Sequence, residues 1–285
     1  MQNLYPFSFF QNIDYQMAKS ILNKNAIVNP NYKSLHNLGL FYVENGVMMK
    51  DGKVRKANCL GLRYLDMSRK ITETYQNDMA LGYVYSEMKQ YKMSSNAFNK
   101  ACIIKPSFAS MYNYGIVCLN NRDFAQASFS IKASIEMCPI EMVKDVYISY
   151  LYALCFISTS DCLKAMHDLP ETIIDGSDVD LIAVAYICGY YEFIIEHVDD
   201  VFKKWYLEIP IIAMITDCFL MLNDHNKAEK YINMQLSELK GFDVPMKNEI
   251  NNTKRVLSDE KYRTHIIGSF FPRIPLYKED WYFKE

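Results

Sequence analysis

The sequence predicts an all-α fold, built of helical hairpins stacked side by side and closed by an extended C-terminal tail. Three observations predict it. Two adjacent segments, Tyr75–Pro106 and Phe108–Pro139, align at a constant offset of 33 residues, the mark of a structural unit used more than once. No stretch alternates apolar and polar residues well enough to be read as a strand. The last twenty residues carry Pro272 and Pro275 among many aromatics, which favours extended chain over helix.

The elements follow in order. Ile13–Ala26 reads as an unpaired second helix, with Ala18 and Leu22 at a small and a large position. Tyr32–Glu44 opens the next pair, but Asn45–Lys53 is inserted before its second helix, Val54–Ile71. In the two clear units Leu81-Gly82 aligns with Tyr114-Gly115, Phe98 with Ile131, and Pro106 with Pro139. The glycine lets the two helices of a pair approach closely, the small residues Ala97, Ala101, Ala127 and Ala133 do so from the other side, and the proline ends the second helix. Gln90-Tyr91 and Arg122-Asp123 mark the turns, with Asp123 as a helix N-cap. Beyond residue 140 the pattern weakens. The expected pairs are Met142–Ser158 with Asp161–Leu169, Asp178–Tyr190 with Glu192–Lys204, and Ile211–Leu222 with His225–Lys240, followed by a capping helix Met246–Leu257. The chain thus divides into 1–140, 141–258 and a tail 259–285. One helical hairpin cannot bury its own apolar face, so neighbours stack and curve around a concave surface.

At Ala80-Leu81-Gly82-Tyr83-Val84-Tyr85, Tyr91-Lys92, Ala97-Phe98-Asn99-Lys100-Ala101 and Lys105-Pro106 the chain resembles the tetratricopeptide repeat (TPR) family. The resemblance implies a right-handed α-α superhelix, a TPR-like solenoid, that binds a protein or peptide in its concave groove. It also implies that an Asn two residues before the glycine holds a ligand's main chain. Asn37 and Asn113 occupy that position, whereas Ala80 departs from it. Lys33, His36, Tyr83, Glu87 and Tyr112 are expected to share the face. The basic set that clamps a terminal carboxylate in the family is incomplete, because Gln76, Ala80 and Ala109 stand at its other positions.

Motifs for chemistry are few. The five histidines include no pair at i, i+3 or i+4, and the eight cysteines form no C-x-x-C, so no metal is expected. Neither phosphate-binding glycine motif occurs, and no nucleophile elbow. Asp175–Asp180 lacks the order of a calcium loop and reads as a turn, with Asp178 capping the next helix. No cofactor and no enzymatic activity is expected. The formal net charge of −2 carries no bias toward nucleic acid or anionic membranes. Met1–Pro6 shows no basic-then-apolar leader, no segment has the length of a membrane span, and the dispersed cysteines suit a reducing compartment. A cytoplasmic location follows as the expectation, in a chain whose Asn, Lys, Ile and Tyr usage points to an AT-rich, bacterial genome.

The functional expectation is a protein- or peptide-binding scaffold, an accessory or adaptor subunit. The alternatives are a peptide-sensing regulator of TPR-receptor type and an enzyme with a site in Met142–Lys204. The aromatic tail, with Phe270, Phe271, Tyr277 and Trp281-Tyr282-Phe283, is expected to lie back on the chain's own helices rather than stay in water.

Overall fold

The computed structural model describes residues 15–51, 53–169, 178–241, 246–270, 274–279 and 281–283. The expectations placed on the first 14 residues and on Asp175-Gly176-Ser177 lie outside them. The fold is all-α, with helical hairpins packed in sequence and sixteen helices among the described residues. Two units emerge, one of residues 1–142 with 275–285, the other of residues 143–274.

Unit 1 holds α1 (Tyr15–Val28), α2 (Tyr32–Asn45), α3 (Asn58–Ile71), α4 (Tyr75–Glu87), α5 (Tyr91–Ile104), α6 (Phe108–Asn120) and α7 (Phe124–Ser134). Three of these helices start in the same way. Asn31, Thr74 and Ser107 cap α2, α4 and α6 with side-chain oxygens that accept from the third helical amide. An aromatic residue follows each cap: Tyr32, Tyr75 and Phe108. The hairpins α2–α3, α4–α5 and α6–α7 close through glycine. A Cβ on Gly82 would stand 2.8 Å from the ring of Phe98, and one on Gly115 2.5 Å from Cγ1 of Ile131. In α2–α3 two glycines face each other: a Cβ on Gly39 would meet the Gly61 carbonyl oxygen at 2.9 Å. Gly61 carried no signal in the sequence alignment.

The insertion departs from the expected reading. Gly46 (φ 76°) turns the chain out of α2. Val47–Met48 then pairs with Val54–Arg55 as a two-residue antiparallel ladder, which alternation could not reveal over so short a length. The expected helix Val54–Ile71 accordingly begins at Asn58.

Unit 2 holds α8 (Val143–Cys155), α9 (Thr159–His167), α10 (Val179–Ile187), α11 (Tyr191–Glu196), α12 (Val198–Trp205), α13 (Ile209–Met221), α14 (His225–Lys240), α15 (Lys247–Ser258) and α16 (Glu260–Gly268). Asp178 caps α10 as expected, accepting from the amides of Asp180 and Leu181. Two corrections apply. The single helix expected over Glu192–Lys204 is broken at His197, whose ring Nδ1 donates to the Phe193 carbonyl at 2.8 Å. A helix running through would give that carbonyl to the His197 amide, so the side chain has replaced the ladder bond. The tail also starts later than 259, because α16 covers Glu260–Gly268. Asp259 caps this helix, and Arg263 anchors it to α13 by a 2.7 Å bond to Asp217.

One turn serves hairpins of both units. Lys89, Arg122, Gly189 and Asn223 all adopt positive φ, between 58° and 72°. After each, the next amide reaches back five residues at 2.8 Å: Gln90 to Tyr85, Asp123 to Cys118, Tyr190 to Ala185, Asp224 to Phe219. The first two turns are 33 residues apart and the last two 34.

Candidate functional site

Residues 277–279 and 281–283 of the tail lie across α2, α4 and α6, and side chains of these helices meet them along the way. Asn113 of α6 pairs with Tyr277: its Nδ2 donates to the Tyr277 carbonyl and its Oδ1 accepts the Tyr277 amide, both at 2.7 Å. Asn37 of α2 makes the same pair with Phe283, at 3.2 and 2.9 Å. A primary amide has a donor and an acceptor side by side, so one Asn satisfies both main-chain groups of one peptide residue. Between these clamps Tyr75 of α4 donates to the Glu279 carboxylate at 3.0 Å. The tail therefore runs from α6 past α4 to α2, against the order of the helices in the chain.

Aromatic contacts fill the intervals. Phe108 meets the Tyr277 ring edge-on at 4.9 Å, and Tyr32 meets Phe283 at 5.3 Å. The residues that open α2, α4 and α6 thus touch Phe283, Glu279 and Tyr277 respectively. Trp281 is 1% exposed and packs beside Tyr83, with ring centroids 5.5 Å apart. Tyr282, 3% exposed, donates to Glu44 at 3.0 Å, and Lys278 forms an ion pair with the other oxygen of Glu44 at 2.9 Å while lying over the Tyr83 ring. Burying the Trp281 and Tyr282 side chains in this way is worth several kcal/mol.

His36 is the one imidazole among the described residues of the site. Its Nε2 lies 2.9 Å from the Trp281 carbonyl, which can only accept, so Nε2 carries a hydrogen. Its Nδ1 stands 3.4 Å from Oδ1 of Asn77, whose Nδ2 already donates to the Leu65 carbonyl. The ring is fully buried, and burial depresses its pKa to about 4 despite those two acceptors. It is neutral near pH 7.

Of the residues expected at this face, His36, Asn37, Tyr83 and Asn113 touch the tail. Tyr112 is buried and stacked on Phe108, and it is Phe108 whose ring meets Tyr277. Glu87 is ion-paired with Lys56. Lys33 is half-buried and forms no ion pair among the described residues. The expectation overlooked Tyr32, Glu44, Tyr75, Asn77 and Phe108. A signal for three of them was present: Tyr32, Tyr75 and Phe108 each follow a capping residue at the start of a pair, and the last two lie 33 residues apart.

Elsewhere, all eight cysteines are free thiols. In unit 2 the buried thiols of Cys155 and Cys162 donate to the carbonyls of Tyr152 and Leu151 at 3.1 and 3.4 Å, and their interaction with neighbouring Cys188 draws Cys188 below the usual thiol range and pushes the two buried thiols up. Among the described residues no group of three or more His, Cys, Asp or Glu side chains is placed to hold a metal ion. Nor is any described helix long and apolar enough to cross a membrane. The site and fold together define an all-α chain of stacked hairpins with a peptide segment laid along one face. In comparison with known proteins, the sequence matches no family model and no curated protein.

Proposed function

We propose that this chain is a non-enzymatic, tetratricopeptide-type scaffold of the bacterial cytoplasm. It works by holding an extended protein segment along α2, α4 and α6, as an adaptor or accessory subunit. One observation carries the reading. Asn37 and Asn113 each grip both main-chain groups of one residue in a peptide that is remote in sequence. Main-chain clamps of this kind tolerate many sequences, while Tyr83, Phe108, Glu44 and Tyr75 supply side-chain selectivity for aromatic, basic and acidic positions. The face extends over three helices, which suits an extended peptide.

The test frees the face and offers it a ligand. In the full chain, Trp281→Ala with Phe283→Ala removes the main apolar anchors of the tail. A fluorescent peptide of residues 275–285 is expected to bind this variant, and Asn37→Ala with Asn113→Ala is expected to abolish that binding. If the freed face takes up no peptide, the scaffold reading is wrong.

A further inference from the structure

The tail and the face it occupies come from opposite ends of the chain. Residues 275–283 belong with unit 1, yet the whole of unit 2, residues 143–274, lies between them in sequence. The tail therefore acts as a ligand joined to its receptor by the chain of unit 2.

The match between face and ligand extends to side chains. Glu44 takes both Lys278 and Tyr282, Tyr75 takes Glu279, Phe108 takes Tyr277, and Phe283 sits 5.3 Å from Tyr32 and 4.9 Å from His36. Clamps on the main chain alone would accept almost any extended segment. This further set selects an aromatic residue followed by a cation, an acid, and an aromatic triplet, in one polarity. Every copy of the chain carries that segment.

We propose that the partner for this face in trans is a second copy of the same chain, which delivers its own residues 275–283. This rests on the reading of α2, α4 and α6 as a peptide-binding face. An exchanged tail makes the same contacts as a retained one, so the two arrangements differ only in the tether and in effective concentration. Exchange places Asn37 and Asn113 of one copy on Phe283 and Tyr277 of the other. Reciprocal exchange closes a dimer, and one-way exchange links copies in series. An unrelated protein reaches the face only by presenting the same order of side chains and displacing a ligand that is always present.

The experiment pairs two full-length variants that complement one another. One has a disabled face and an intact tail (Asn37→Ala, Asn113→Ala). The other has an intact face and a disabled tail (Trp281→Ala, Phe283→Ala). Neither closes on itself, and only the tail of the first on the face of the second restores the contacts. The expected result is a 1:1 complex at twice the mass of one chain in light scattering, formed by the mixture and by neither variant alone. Differently tagged wild-type chains, mixed and incubated, are expected to co-purify. If the mixture stays monomeric while the second variant binds the 275–285 peptide, exchange between copies is overturned and the peptide-binding face stands. If the second variant binds neither the peptide nor the first variant, both readings fall. Should the alanine pair lose its helical circular dichroism, Asn37→Asp with Asn113→Asp takes its place, since it keeps the shape and removes the donors.

Discussion

Asn113 and Tyr277 are separated by 164 residues, yet the side-chain amide of one satisfies both main-chain polar groups of the other, at 2.7 Å each. The two bonds act as one unit, because removing the amide strands a donor and an acceptor together in a partly buried place. Asn113→Ala is therefore expected to cost the closed tail roughly 2 kcal/mol, which raises its open population about thirty-fold. Asn113→Asp keeps the acceptor for the Tyr277 amide but sets a carboxylate oxygen against the Tyr277 carbonyl, and is expected to do equal or greater damage. Hydrogen exchange of residues 275–283 measures both. Unchanged protection in Asn113→Ala would mean that the tail is held by its aromatic rings alone.

How much of this was legible beforehand differs by element. Gly82 and Gly115 were readable because a Cβ has no room there, so the chain must repeat glycine at a fixed offset. The match of Asn37 with Asn113 was readable through the glycine pattern: each Asn sits two residues before a glycine, Gly39 and Gly115, the position at which the family resemblance expects a main-chain clamp. The identity of the peptide they hold was not, since Phe283 and Tyr277 are linked to them by no local pattern, and only the hydrophobicity of the tail hinted that it folds back. The break at His197 was hidden because Glu192–Lys204 has an unbroken helical composition and the interruption comes from one ring bonding one carbonyl. In unit 2 the glycine within the helix pair is missing. The common feature there is the left-handed turn at Gly189 and Asn223, a position where Lys89 and Arg122 stand in unit 1, so that no residue type marks it.

The glycines give a graded stability test. Gly82→Ala forces the fully buried Phe98 ring to move, and is expected to destabilise unit 1 by about 1–3 kcal/mol. Gly39→Ala meets the Gly61 carbonyl, which is backbone and cannot rotate away, and is expected to cost more. Gly268→Ala places its methyl where no atom lies within 4 Å, in the last position of α16, and is expected to change stability by less than about 0.5 kcal/mol. Denaturant unfolding of the three variants checks the order. A loss at Gly268 equal to that at Gly82 would remove close helix approach as the reason for the glycines.

The thiols of unit 2 differ in reactivity for a local reason. Cys155 and Cys162 are buried and donate to backbone carbonyls, while Cys188 is partly accessible and is drawn below the usual thiol range by its interaction with those two thiols. The shift is toward the thiolate, and thiolate is what alkylates. Brief treatment with iodoacetamide at neutral pH is expected to modify Cys188 well before Cys155 or Cys162, as followed by peptide mass spectrometry. Replacing both neighbouring thiols, Cys155→Ala with Cys162→Ala, is expected to slow the Cys188 reaction by raising its pKa. A rate that stays constant in this double variant would show that exposure alone decides.

His36 gives tail closure a pH dependence whose sign is fixed by its surroundings. With the tail in place the ring is buried and titrates at about 4, against 6.5 for a free histidine. Tail opening gives the ring access to water and restores the higher value. Closure therefore keeps its full strength above about 6.5 and weakens as the pH falls toward 4, by up to roughly 3 kcal/mol if the open value is fully recovered. Asp78 of α4 works the other way. Its carboxyl is buried, with the Arg69 guanidinium 3.7 Å away, and burial raises its pKa to about 6, so protonation between 6 and 3.8 favours the folded unit. Acid should accordingly open the tail before it unfolds the helices. Trp281 reports on opening directly, because Trp205 is the chain's other tryptophan and Trp205→Phe leaves a single emitter. A red shift of Trp281 emission is expected as the pH drops below 6.5, at constant helical circular dichroism. His36→Gln, which retains a donor for the Trp281 carbonyl without a titrating ring, isolates the histidine's share. If the shift is the same in His36→Gln, the histidine does not govern the latch.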